Sequence, residues 1–216
     1  MTGNLVNQLL LYAITLDGTE LKTLLRQVEE ALIGGATILQ LREKNVDKDE
    51  YCRRAINVKK ICDQFGVPLI IDDLVDVALH CDAAGVHIGQ QDIDLASART
   101  LLGPEKIIGV SAKNPEHAQR AEDGGADYLG VGAIYPTKTK NNPIYTSINT
   151  LKDICSIVSI PVVAIGGIKQ HNIDSLSGTG IVGVAVVTGI FSAPDVSQAT
   201  RDLRKKAESL FGSRDN

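Results

Sequence analysis

Residues 130–140, GVGAIYPTKTK, carry a short apolar strand that stops at Pro136 and gives way to Thr137, Lys138, Thr139 and Lys140. Hydroxyls, ammonium groups and open backbone N–H groups at the C-terminal end of a strand suit the oxygens of a phosphate. A solvated surface loop would have the same composition, so the segment alone leaves both readings open. A second cationic group lies in residues 40–44, QLREK. Strand alternation puts Ile38, Gln40 and Arg42 on one face, with Lys44 a step further on. An arginine on the inner face of a barrel needs an anion, because a buried unpaired charge is costly. Arg42 and Lys44 therefore read either as a clamp on a bound anion or as partners of Glu43 or of a carboxylate on the next strand. Asp73 and Asp92 end consecutive strands, and adjacent strands lie about 4.8 Å apart. Both carboxylates could reach one small cation, and magnesium commonly takes one or two carboxylates, waters and phosphate oxygens. Ion pairing with Arg42 and Lys44 is the competing account, and the two are compatible. Gly166-Gly167 and Val187-Thr188-Gly189 end two later strands, where backbone N–H groups of a barrel bind phosphate; tight turns would ask for the same glycines.

These groups need elements to position them, and the chain supplies a repeat. Strand-like apolar runs fall at residues 9–15, 36–42, 67–73, 85–90, 106–112, 126–135, 160–167 and 181–190. Between and after them lie helical segments at 19–33, 47–65, 74–82, 95–102, 114–123, 147–159, 172–176 and 195–210. Glycine closes several of these, as at Gly34-Gly35, Gly66, Gly103 and Gly124-Gly125. Continuous apolar strands alternating with helices predict a parallel sheet of βα units. Eight such units in 216 residues fit an α/β fold with a single (β/α)8 TIM barrel spanning residues 1–216 better than an open doubly wound sheet. The polar residues gather at the strand ends, where a barrel keeps its chemistry, while the strand beginnings carry far fewer. The one long connection, residues 136–146, is of the length that tends to be functional.

A net charge of −4 gives no global field for nucleic acid, and 4% aromatics without Trp argue against a base-stacking surface. No stretch approaches the ~20 apolar residues of a membrane span, and the N-terminus lacks the basic region of a signal peptide. Cys52, Cys62, Cys81 and Cys155 are scattered without a C-x-x-C pair, so reduced thiols are expected. The chain reads as cytoplasmic, with no nucleic-acid or membrane partner. His80, His117 and His171 fall on helices or helix starts and His87 within a strand; all four read as structural or surface residues.

In order along residues 11–205, QLREK (40–44), IDD with VDVAL (71–79), GVHIGQQD (85–92), GVSAK (109–113), IYPTKTK (134–140) and AIGGI (164–168) resemble the thiamine phosphate synthase family. The resemblance implies a barrel that joins hydroxymethylpyrimidine diphosphate to thiazole phosphate, releasing diphosphate with the help of Mg²⁺. By matching position, Gln40, Arg42, Lys44, Ser111 and Lys140 would hold the pyrimidine diphosphate, with Arg42, Lys44, Ser111 and Lys140 acting in catalysis. Asp73 and Asp92 would hold the metal. Thr137, Thr139, Gly166, Gly167, Val187 and Thr188 would hold the thiazole phosphate, and Leu41, Glu43, Asp72 and Lys138 complete the implied substrate-binding set. Diphosphate departure leaves a methylene cation that the thiazole nitrogen captures, so neither nucleophile nor strong base is needed. The family usually has Asn at the position of Asp72, often a glycine within the segment 141–147, and serine at the position of Thr188. A thiazole tautomerase paralogue would carry a histidine where Ala133 stands. A non-catalytic barrel that binds thiamine precursors is a further alternative, favoured only by Asp72. The family leaves room for a homo-oligomer.

Overall fold

In the computed structural model the described residues are 2–137, 139 and 145–212. Eight parallel strands close into a barrel in sequence order: β1 Leu11–Ile14, β2 Ile38–Leu41, β3 Leu69–Asp72, β4 Gly85–Ile88, β5 Ile107–Ala112, β6 Tyr128–Val131, β7 Val162–Ile165 and β8 Gly183–Val186. β1 pairs with both β2 (Tyr12 opposite Ile38) and β8 (Leu11 opposite Val184), which completes the ring.

Strand alternation sorts the apolar residues into two cores. Leu11, Leu39, Leu41, Ile71, Val86, Val110, Leu129, Ala164 and Val184 face outward and pack under the helices. Leu9, Tyr12, Ile14, Ile38, Ile70, Tyr128, Val163 and Ala185 fill the interior. Layers of side chains from alternate strands make the interior of such a barrel a packed core. Glycine makes room where the layers need it: a Cβ on Gly109 would run into the Tyr128 ring.

The helices are α1 Thr2–Gln8, α2 Leu21–Ile33, α3 Lys48–Phe65, α4 Val75–His80, α5 Leu95–Leu102, α6 Pro115–Asp123, α7 Ile148–Ile157, α8 Thr188–Phe191 and α9 Val196–Phe211. The starts of α3, α5, α6, α7 and α9 are fixed by side-chain caps. Asp47, Asp94, Asn114, Ser147 and Asp195 each accept a hydrogen bond from an N–H of the first turn, at 2.8–3.0 Å, which satisfies donors a helix start leaves open.

Several elements differ from the sequence-based expectation, and the sixth strand ends at Val131 rather than residue 135. Helix α1 precedes β1, and its Leu5 packs against the interior core. The segment after β7 is a single 3₁₀ turn, Ile173–Leu176. The eighth strand ends at Val186 rather than residue 190, and Thr188–Phe191 is helical. Gly189 permits that turn: a Cβ there would stand 2.8 Å from the Ile168 carbonyl oxygen.

Candidate active site

The C-terminal ends of β2 to β5 build a charged quadrant. The chain leaving β2 is held by the β1–α2 connection. Thr15 Oγ1 accepts from the Arg42 N–H at 2.9 Å, and Asp17 accepts from the Lys44 N–H at 2.7 Å and from the Asn45 amide at 2.6 Å. Arg42 and Lys44 are thereby aimed at the end of β3. Asp72 Oδ2 lies 2.7 Å from Lys44 Nζ and 3.8 Å from Arg42 Nε. The charges are close, yet the alignment is poor for hydrogen bonding: Arg42 Nε and Asp72 Oδ2 are both buried without a hydrogen bond among the described residues. Lys44 also donates to Asp73. Burial works against the Lys44 ammonium, but Asp72 and Asp73 together hold it above its ordinary range.

Asp73 follows β3 in the left-handed region, φ 62°, which turns its carboxylate beside that of Asp72. Its N–H donates to the His87 carbonyl at 2.9 Å. Burial and then the charge of Asp72 push the Asp73 carboxyl up to about 6, against the pull of Lys44, and Asp92 stands within hydrogen-bonding reach of it. Asp92 is fixed in turn by the Gly89 N–H, which donates to Oδ2 at 2.6 Å. Asp73 and Asp92 both line a groove of about 460 Å³ that runs beside the mouth past Leu74, Ile93 and Leu101.

Beneath this quadrant a chain of hydrogen bonds crosses the barrel interior. Gln40 Nε2 donates to the Tyr12 hydroxyl at 2.8 Å, which meets the Tyr128 hydroxyl at 2.9 Å. The Tyr128 hydroxyl meets His87 Nδ1 at 3.0 Å, and His87 Nε2 meets Ser111 Oγ at 3.0 Å. Gln90 donates to the Ser111 carbonyl at 2.8 Å. Burial drives both phenols far above the usual range, so they stay protonated. Tyr12, Tyr128 and His87 were absent from the sequence-derived site. His87 is a structural residue as expected, but its ring lies inside the barrel against Ser111. Parity could have found all three, since each shares the inward face of its strand with an interior or candidate residue.

The ends of β6 to β8 form a second, less charged quadrant. Tyr135 N–H donates to the Gly166 carbonyl and Ile134 N–H to the Ile165 carbonyl, both at 3.0 Å. A Cβ on Gly167 (φ 66°) would stand 2.6 Å from the Pro136 carbonyl oxygen, so the two loops touch where only glycine fits. Thr137 Oγ1 lies 3.1 Å from Thr139 Oγ1 and accepts from the Thr139 N–H at 3.2 Å. Val187 precedes α8, whose first turn, from Thr188, no side chain caps. Lys138 and Lys140 lie outside the described residues.

Two members of the expected substrate-binding set point elsewhere. The Leu41 side chain is buried in the outer core and its carbonyl accepts from Tyr51 at 2.8 Å. Glu43, one step out of phase with Arg42, is buried behind the mouth and accepts from Arg54 at 2.9 Å. Alternation along β2 sends Gln40 and Arg42 inward and Leu41 and Glu43 toward α3.

A closed parallel barrel that carries Arg42, Lys44, three carboxylates and glycine-lined loops on one rim defines a TIM barrel with its polar groups at the C-terminal strand ends. Residues 11–190 match the family model described as thiamine monophosphate synthase. The chain is 52% identical over 190 residues to thiamine-phosphate synthase 2 of Streptococcus pneumoniae, covering 88% of this chain and 90% of that one. It is 48% identical over 197 residues to thiamine-phosphate synthase of Clostridium tetani, covering 89% and 93%. Among solved structures, thiamine phosphate pyrophosphorylase of Pyrococcus furiosus superposes with a TM-score of 0.88 at 39% identity, over 96% of this chain and all of that one. The chain belongs to the thiamine monophosphate synthase family.

Proposed function

We propose that the whole chain acts as one barrel domain that condenses 4-amino-2-methyl-5-(diphosphooxymethyl)pyrimidine with 4-methyl-5-(2-phosphooxyethyl)thiazole, giving thiamine phosphate and diphosphate. The observation that carries this reading is the convergence of Arg42, Lys44, Asp72 and Asp73 at the end of the barrel above the interior layer that holds Gln40 and Ser111. Relatives at about half identity bear the synthase name, and Ala133 stands where a tautomerase would carry histidine.

The diphosphate would be held by Arg42 and Lys44, with Lys140 joining from the β6 loop. Gln40 spends its amide N–H on Tyr12, so its carbonyl oxygen is left to accept from the aminopyrimidine. Ser111, with its hydroxyl anchored by His87, would donate to the leaving group. Thr137, Thr139, Gly166, Gly167 and Thr188 would cradle the thiazole phosphate, placing the ring nitrogen in line with the pyrimidine methylene. When diphosphate leaves, its electron pair departs with the bridging oxygen; the aminopyrimidine stabilises the methylene cation until the thiazole nitrogen donates its pair. Rate acceleration then comes from charge neutralisation and positioning.

Asp73 and Asp92 are a fit for Mg²⁺. Both offer hard oxygen donors, and Asp73 is buried beside the Asp72 carboxylate with Asp92 within reach, negative charge that a divalent ion would offset. Among the described residues no three His, Cys, Asp or Glu side chains are arranged to hold a metal by themselves, which leaves the rest of a magnesium shell to substrate oxygens and water. The ion, when bound, supplies charge neutralisation on the departing diphosphate. No described helix is long and apolar enough to cross a membrane, and we place the enzyme in the cytoplasm, with homo-oligomerisation open to test.

The test mixes both substrates with Mg²⁺ and follows thiamine phosphate and diphosphate in equal amounts. Absence of product with tight binding of either substrate would replace the synthase by a sensor. Arg42→Ala and Asp73→Ala should each abolish turnover while leaving the fold intact by circular dichroism; near-normal rates would remove the diphosphate site.

A further inference from the structure

The mouth already contains an anion. Asp72 ends β3 with about nine-tenths of its side chain buried, and its Oδ2 faces Lys44 Nζ at 2.7 Å and Arg42 Nε at 3.8 Å, the two groups assigned above to the diphosphate. Lys44 is shared further with Asp73. Two cations thus face the carboxylates of Asp72 and Asp73, so their charge is already matched before any ligand arrives. The Arg42 half of the pairing is loose, since Arg42 Nε stands 3.8 Å from Asp72 Oδ2 and is buried without a hydrogen bond among the described residues. Buried polar atoms left in this condition are costly, and an incoming phosphate oxygen could satisfy the arginine better than Asp72 does.

We infer that Asp72 is a built-in counter-anion that sets diphosphate specificity, holding Arg42 and Lys44 until a metal-loaded diphosphate displaces it and rejecting the metal-free anion. The inference rests on the diphosphate reading above. Free diphosphate must separate Lys44 from Asp72 and then lie beside an exposed carboxylate. A diphosphate carrying a divalent cation brings its own compensation for that carboxylate. The discrimination therefore lies in the charge of Asp72, not in its shape.

Asp72→Asn keeps the shape and removes the charge. Binding of inorganic diphosphate to the full chain is measured by calorimetry, once in EDTA and once with Mg²⁺. Wild type should bind weakly in EDTA and well with Mg²⁺. Asp72→Asn should tighten metal-free binding at least tenfold, while its gain with Mg²⁺ stays within about threefold. In the double variant Asp72→Asn with Lys44→Met, the metal-free gain should shrink to less than half, because the charge acts through the lysine. Unchanged metal-free affinity in Asp72→Asn, or equal gains with and without metal, would overturn the inference while leaving the diphosphate site standing. Wild type that binds no diphosphate even with Mg²⁺ would overturn the site and the inference together. Matching melting curves of wild type and Asp72→Asn exclude a folding defect.

Discussion

Replacing Glu43 separates a substrate contact from a structural one. The Glu43 side chain is fully buried and that of Arg54 is 12% exposed, with Nη1 2.9 Å from Oε1. Arg54 also donates to Glu50 at 2.7 Å and to the Thr19 carbonyl at 2.7 Å, tying α3 to the β1–α2 connection. Removing one member of a buried pair costs about 3–5 kcal/mol. Because Arg54 keeps Glu50 and Thr19, Glu43→Ala should sit at the low end, about 3 kcal/mol. In a protein of this size a melting temperature falls about 2–4 °C per kcal/mol, giving a drop of about 6–12 °C. Glu43→Gln should cost far less, under about 1 kcal/mol, since its amide oxygen still accepts from Arg54.

The charge itself contributes little to that pair. Burial raises the Glu43 carboxyl above its usual range and outweighs Arg54, which pulls it down. A folded-state value above the unfolded one means the folded protein binds the extra proton in the window between them. Stability at this group therefore rises as pH falls from neutrality toward the ordinary glutamate range, and wild type should gain on Glu43→Gln over that interval. Calorimetric melts at several pH values measure both effects, and steady-state kinetics should show KM for the pyrimidine diphosphate within twofold of wild type in Glu43→Gln. An unchanged melting temperature in Glu43→Ala with a tenfold rise in KM would refute the assignment and return Glu43 to the mouth.

Burial and Asp72 hold the Asp73 carboxyl up to about 6 in the metal-free protein, and a proton must leave before a cation binds. Mg²⁺ affinity by titration calorimetry should therefore fall below pH 6, approaching tenfold per pH unit; a flat profile from pH 7 to 5 would exclude Asp73 as a ligand. Tyr128→Phe takes a partner from both the Tyr12 hydroxyl and His87 Nδ1, at a cost of about 1–3 kcal/mol, read as a lower urea midpoint with an unchanged slope. Gly167→Ala puts a Cβ against the Pro136 carbonyl at a φ that favours glycine. It should raise KM for the thiazole phosphate severalfold with KM for the pyrimidine diphosphate held, and equal changes in both would show that the two quadrants are not separable.

The barrel was legible because its strands are buried on both faces and therefore written as apolar runs, a signal that survives without knowledge of contacts. Boundaries were less so. Residues 47, 114, 147 and 195 were counted as helix, whereas each caps its helix from outside with a side-chain oxygen. Residues 187–190 continue the apolar run of β8, and the turn into a helix shows only in three dimensions, where the Phe191 N–H donates to the Val187 carbonyl at 2.9 Å and Gly189 closes on Ile168. Helix α1 has too few residues for a periodic pattern to declare itself. In the site, Arg42 and Asp73 were readable as charged groups at strand ends. Glu43 is a member of the same motif as Arg42, but alternation along β2 sends its side chain toward Arg54.

The interior chain from Gln40 to Ser111 explains why a histidine beneath the mouth need not be a base. Both ring nitrogens of His87 meet hydroxyls at 3.0 Å, one from Tyr128 and one from Ser111. The network extends through Tyr12 to Gln40, whose amide is a fixed donor, so the hydroxyl protons can arrange themselves in sequence across the barrel. Burial keeps both phenols protonated, so each keeps a hydroxyl proton for that order. The arrangement thus holds Ser111 Oγ and the Gln40 carbonyl oxygen in place at opposite ends of one polar layer. A reaction in which diphosphate leaves and a nitrogen lone pair arrives asks for such fixed positions and for cations on the leaving group, and it asks for no proton acceptor at this depth.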